Sequence, residues 1–313
     1  MRESRVSVER GADMPLSDVV RRIGPAVAWR YTWLHRRIAG LARRLLPVQD
    51  DEDWRDYRRH YEKDLEDVAV LHTQKLEPGD FSIADGSIVL RAGLKALHPN
   101  AAGLYETIAA LAPKSVLEVG CGGGDHLHNL GVLFPDLSRH GLDVSAGQLA
   151  LLRERSPHLA PLVRQCDITE TLPPAEYAAD VAYTQAVIMH IQRKGRHLAA
   201  LANVFKMARR HVVLMENWWR HWFMDDIAML HERGRIAWPS LHFYVRRYQE
   251  RPLLMVVSSE QLPFEPLTDY RVLLDAMTWV PPPGAYPSDG RYRPGPPRSE
   301  IHKGSLGAKA ADG

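Results

Sequence analysis

The feature that most constrains this chain is the run VLEVGCGGGDHL at residues 116–127. An apolar stretch ends at Gly120, Gly122, Gly123 and Gly124, and a helical pattern starts directly after them. Glycine permits backbone dihedrals closed to other residues and lets main chain approach a ligand closely. The helix that follows opens with unsatisfied N–H groups. Strand, bare turn and helix in that order predict a nucleotide-like cofactor at the C-terminal edge of a strand in an α/β sheet.

The flanking pattern agrees. Strands are predicted at Ser115–Val119, Ser138–Asp143, Leu162–Gln165, Asp180–Thr184 and His211–Met215, with helices at Asp125–Leu133, Ala146–Glu154 and His197–Ala208 between them. Alternating βα units imply a parallel sheet covered on both faces. Two later strands, Leu241–Tyr248 and Leu253–Ser259, lie too close together for a crossover, so they must form an antiparallel hairpin. A short helix over Leu104–Leu111 leads into the first strand, and residues 78–101, with several Gly and Pro, yield no assignment.

Three carboxylates then define a ligand. A dinucleotide loop wants a third glycine where this chain has Asp125. Instead Glu118 stands two residues before Gly120, where it would welcome an ammonium group, and a carboxylate on the same ligand would suit the helix N-terminus. Asp143 ends the second strand, 23 residues after Gly120, and is placed to grip ribose hydroxyls, with Val144 beside it. Asp167 follows the third strand and could accept from an adenine amino group, with Ile168 next to the ring. Amino acid, ribose and adenine together describe S-adenosylmethionine.

On these residues the segment from about 105 to 260 resembles the class I S-adenosylmethionine-dependent methyltransferases. The family's acid followed by G-x-G-x-G corresponds to Glu118, Gly120, Gly122 and Gly124, with Cys121 inside the loop. The resemblance implies a seven-stranded, mostly parallel Rossmann-like sheet with its last strand antiparallel. It implies ribose binding by Asp143, adenine contact at Asp167, and passage of Gln185 near the methionine part of the cofactor.

Methyl transfer from a sulfonium needs acceptor, methyl carbon and sulfur in line, and a base where the acceptor is a hydroxyl. Candidates follow the fourth and fifth strands: His190, Glu216 and His221. Trp218, Trp219, Trp222 and Phe223 suit either stacking on an acceptor or packing in the core. His126 and His128 follow the glycines, and one of them can face the pocket from the first helical turn. The set His221, Asp225, Asp226 and His231 matches no standard metal spacing, so no metal is expected.

Around this domain the chain is plainer. Residues 1–100 are expected to be a helical extension and lid, 101–280 the methyltransferase-like domain, and 281–313 a Pro/Gly-rich flexible tail. Residues 17–46 form a basic stripe with Trp29 and Trp33, which suits packing on the domain, a protein partner or peripheral contact with an anionic membrane. Two cysteines exclude a disulfide framework, and no apolar run approaches the 18 or so residues of a membrane span. The N-terminus lacks the apolar core of a secretory signal, so a cytoplasmic setting is expected. A formal net charge of +2 disfavours nucleic acid as partner. The expected function is therefore methyl transfer to oxygen or nitrogen of a small-molecule, sugar or lipid-linked acceptor. Methylation of RNA or protein stands second, and a non-catalytic protein retaining the cofactor fold third.

Overall fold

The structure, a computed structural model, describes residues 75–277 apart from 85, 95, 193 and 194. The basic stripe at 17–46, all but the last residue of a second helical stretch expected at 49–75, and the tail at 281–313 lie outside the described residues. No helix among the described residues is long and apolar enough to cross a membrane.

The chain opens with a small antiparallel hairpin, β1 (Phe81–Ala84) and β2 (Ser87–Leu90), which sequence reasoning left unassigned. Its side chains explain why: Ile83 is 43% and Val89 50% exposed, so no alternation of buried and polar residues marks it. Helix α1 follows (Pro99–Leu111), starting earlier than its apolar run suggests. Pro99 sits at its first turn, and the His98 ring accepts from the Asn100 N–H at 3.2 Å to cap it.

The main sheet contains β3 (Ser115–Val119), β4 (Ser138–Asp143), β5 (Val163–Gln165), β6 (Ala179–Gln185), β7 (Ala208–Met215), β8 (His242–Tyr248), β9 (Arg251–Ser258) and the two-residue β10 (Glu265–Pro266). Their order is β10-β8-β9-β7-β6-β3-β4-β5, giving eight strands rather than the seven expected. The difference is the short β10, paired only through Glu265 and Pro266 to β8. Strands β3 to β7 run parallel, while β9 is antiparallel to both β7 and β8. The mostly parallel α/β architecture read from the sequence is the one observed.

Helices α2 (Asp125–Leu133), α3 (Ala146–Arg155), α4 (Arg196–Met207), α5 (Phe223–Glu232) and α6 (Arg271–Ala276) complete the described fold. Strand pleat sorts the core into two faces. Leu117, Ala182, Val212 and Leu214 point to one side with Leu201, Val204 and Phe205 of α4. Val116, Val181, Tyr183 and Val213 point to the other with Leu104, Tyr105 and Ile108 of α1. Burial on both faces is why these strands read as continuous apolar runs rather than alternating ones.

Candidate functional site

Strand β3 lies between β4 and β6, so the connections leaving it and returning to it diverge. In an open α/β sheet a ligand site forms at such a divergence, beyond the C-terminal strand ends. Here a cavity of about 560 Å³ opens there, within the range of small-molecule sites. Glu118, Gly120, Cys121, Gly122, Asp143, Val144, Asp167, Ile168, Gln185 and His190 all lie on its wall. Gly124, the N-cap of α2, is not among its lining residues.

The glycine loop is shaped by contacts that a side chain would block. Gly120 has φ +82°, and a Cβ there would stand 2.2 Å from Cγ2 of Val187. Gly124 has φ +78°, and its Cβ would meet Leu152 at 2.6 Å. The N–H groups of Gly120 and Cys121 both donate to the Leu142 carbonyl, at 2.7 and 2.9 Å. This folds the loop over the end of β4. The Cys121 side chain is buried against Leu127, and burial pushes its thiol well above the usual range, so it is an inert wall.

Asp143 joins the two lobes of the loop. Its Oδ2 accepts from Gly122 N and its Oδ1 from Ser145 N, both at 2.8 Å. Burial raises its pKa, and these N–H donors oppose the rise. A carboxylate oxygen can accept more than one hydrogen bond, so these contacts do not by themselves saturate Asp143.

Asp167 is more committed than its expected role suggests. Its Oδ1 accepts from the N–H and hydroxyl of Thr169, at 2.9 and 2.6 Å, and its Oδ2 from the Arg196 guanidinium at 3.1 Å. Arg196, which the sequence did not single out, also lies on the cavity wall. Ile168 is buried beside it, where an apolar wall was expected.

Three residues of the wall each carry a buried oxygen. Oε2 of Glu118, Oε1 of Gln148 and Oε1 of Gln185 are buried with no hydrogen-bond partner, and all three residues lie on the wall. Burial pushes the Glu118 carboxyl well above the usual carboxylate range, against a smaller easing from the nearby Tyr183 phenol. A buried acceptor without a donor costs about 1–3 kcal/mol. Glu118, Asp143 and Asp167 share this wall with the glycine loop, which suits a ligand carrying an ammonium group and several N–H and O–H donors. The amino acid, ribose and adenine of S-adenosylmethionine have that donor set.

Of the candidate bases, His190 alone reaches the cavity. Burial and then the Arg220 charge lower its pKa below the usual 6.5, leaving a neutral imidazole at neutral pH. Glu216 turns the other way. Its carboxylate accepts from the Thr184 hydroxyl at 2.7 Å and from the N–H groups of Val187, Ile188 and Met189 at 3.0–3.2 Å. It is a positioning group that holds the turn carrying His190. His221 is buried, with Nε2 3.0 Å from the Ile188 carbonyl and its ring stacked on His197 at 4.0 Å. It braces the same turn from below.

Trp218 and Phe223 are buried in the core, and Trp219 and Trp222 pack against it. None of the four lines the cavity. Their density after β7 reflects packing. Among the described residues no group of three metal-ligating side chains comes together.

Residues 116–211 match the family model described as a methyltransferase domain, from β3 to the middle of β7. This segment is similar to methyltransferase domains. The chain is similar to trans-aconitate 2-methyltransferases from Methylobacterium nodulans, 32% identical over 102 residues, and Rhodopseudomonas palustris, 29% identical over 100 residues. These matches cover 33% and 32% of this chain and span only 38% of the length of each relative. Among solved structures, a TehB-like methyltransferase from Corynebacterium glutamicum aligns at 16% identity and a TM-score of 0.42, over 68% of this chain and 99% of that one.

Proposed function

We propose that this protein transfers a methyl group from S-adenosylmethionine to an oxygen or nitrogen of a small-molecule acceptor. The observation that carries the reading is the meeting of Glu118, the glycine loop, Asp143 and Asp167 on the wall of one cavity beyond the strand ends. Glu118 would hold the ammonium, Asp143 the ribose hydroxyls, and Ile168 and Asp167 the adenine. Bound there, the cofactor supplies an electrophilic methyl group on a sulfonium. The trans-aconitate relatives act on a small molecule by their names, which supports a small acceptor here. A sugar or lipid-linked acceptor draws no support from Trp218 or Phe223, since both rings lie in the core.

His190 is the group placed to take a proton from a hydroxyl acceptor. Its turn is fixed by the three N–H bonds to Glu216, so the ring is aimed before the acceptor arrives. His190→Ala is expected to lower kcat by about 100-fold or more while leaving cofactor affinity unchanged. Turnover equal to that of the native protein would remove His190 from the mechanism. The acid limb of the rate profile should fall below 6.5, the usual histidine value, because the pKa is lowered.

A second expectation concerns pH and cofactor binding. Raised carboxyl pKa values mean that the free fold favours the protonated forms, so its stability from these groups is lost as pH rises above the ordinary 4.5 of Glu118 and 3.8 of Asp143. A ligand ammonium favours ionised Glu118. Cofactor affinity should therefore increase with pH across that window, with proton release on binding. Calorimetry in buffers of different ionisation enthalpy reads this directly, and proton uptake would contradict it.

The acceptor class is tested by incubating the protein with methyl-labelled S-adenosylmethionine and a fractionated cell extract. Label should enter the small-molecule fraction. Label confined to RNA or protein would overturn the small-molecule reading.

A further inference from the structure

We infer that Arg196 is the positioning residue that sets base selectivity at the adenine end of the cavity: with Thr169 it fixes Asp167 as an acceptor for a 6-amino purine and against a 6-oxo one. This rests on the reading of the cavity as an S-adenosylmethionine site.

The polarity of the cluster follows from what each group can do. A guanidinium has donors and no acceptor. Arg196 donates to Oδ2 of Asp167 at 3.1 Å, and to the Thr169 hydroxyl oxygen from Nη2 at 2.5 Å and from Nε at 3.1 Å. A hydroxyl oxygen has two acceptor positions and one proton. Thr169 gives both positions to Arg196, so its proton goes to Oδ1 of Asp167, 2.6 Å away. The Thr169 N–H adds a second bond to Oδ1, at 2.9 Å. Among the described residues, all three bonds to Asp167 therefore come from donors, and the charged one is the strongest type.

The same helix face holds the neighbouring backbone. Asn203 stands two turns after Arg196 on one side of α4, and its Nδ2 donates to the Ile168 carbonyl at 2.8 Å. Asp167, Ile168, Thr169 and Arg196 all lie on the cavity wall. Helix α4 thus staples the 167–169 turn, and with it both the apolar wall and the acceptor assigned to the base. The further bond from Arg196 to Glu170, at 2.9 Å, ends on a carboxylate that is 63% exposed and adds little.

This arrangement decides which oxygen reads the base. Oδ1 takes two donors and Oδ2 takes one, so Oδ2 has the room for an N–H of the ligand. The 6-amino group of adenine supplies that donor. A 6-oxo group in its place would set oxygen against oxygen. A site built around a hydrogen bond rejects an analogue that cannot make it far more strongly than an apolar pocket does. Arg196 is what orients Oδ2, so its loss should lower base selectivity ahead of the other cofactor contacts.

The test compares S-adenosylhomocysteine with S-inosylhomocysteine, which differs only in carrying the 6-oxo base, by calorimetry on the full chain. The native protein should prefer the adenine ligand by at least about tenfold. Arg196→Ala should remove most of that preference, through weaker binding of S-adenosylhomocysteine with S-inosylhomocysteine little changed. A purely structural role would weaken both ligands by the same factor, and that result, or no change in either, would overturn the assignment. Thr169→Val keeps the shape and the backbone N–H but not the hydroxyl, and should lower the preference in the same sense; an unchanged preference would overturn the part given to Thr169. Failure of the native protein to bind S-adenosylhomocysteine would bring down the cofactor reading as well. Native binding with no preference between the two bases would overturn this assignment alone.

Discussion

Asp143→Ala is expected to weaken S-adenosylhomocysteine binding by at least about a hundredfold. Two hydroxyls donating to a carboxylate contribute about 1.5–3 kcal/mol each, and about 1.4 kcal/mol is a factor of ten. The same substitution strips the acceptor from the Gly122 and Ser145 N–H groups, each now bonded at 2.8 Å, so the glycine loop should loosen as well. The two effects separate by measurement. Calorimetric affinity reads their sum, while the thermal midpoint of the unliganded protein reads the loop alone. Affinity unchanged by the substitution would show that the ribose lies elsewhere.

Gly120→Ala should be the most disruptive small change in the domain. A Cβ would stand 2.2 Å from the Val187 side chain, on a backbone with φ +82°. Val187 cannot simply move aside, because its N–H is held by Glu216 in the turn that carries His190. Overpacking and left-handed strain together should cost about 2–4 kcal/mol, read as a lowered urea midpoint. The double variant Gly120→Ala with Val187→Ala should recover the clash but not the backbone strain. Full recovery would mean that the positive φ is not required, and no recovery would mean that the clash is not the cause.

How far the sequence could be read follows from what each part asks of its residues. The sheet was legible because strands buried on both faces must be apolar along their length, as at Val116–Val119 and His211–Met215. The residues around the cavity were legible because their constraints are local: Gly120 and Gly124 take positive φ, and Asp143 and Asp167 sit at or just after strand ends. The hairpin between β8 and β9 was legible as antiparallel. Its turn is tighter than expected, since Gln249 and Glu250 both take positive φ without the usual Asn or Gly.

Long-range orientation was not legible. Glu216 and His221 follow β7, and only the fold shows that both bond to the 187–190 turn. The tryptophans after β7 posed the same ambiguity between core and site, and burial decides it. Arg196 was missed because nothing in its neighbourhood marks it; its role comes from meeting Asp167 across 29 residues. His126 and His128 were both candidates, and the fold places His126, not His128, on the cavity wall.

The account stands on the occupant of the cavity at the end of β3. A crystal structure of the protein soaked with S-adenosylhomocysteine tests it most directly. The account predicts the ammonium within hydrogen-bond distance of Glu118, the ribose hydroxyls on Asp143, and the adenine against Ile168. A nucleoside bound at any other surface, or a glycine loop closed over an empty cavity at saturating ligand, would contradict it.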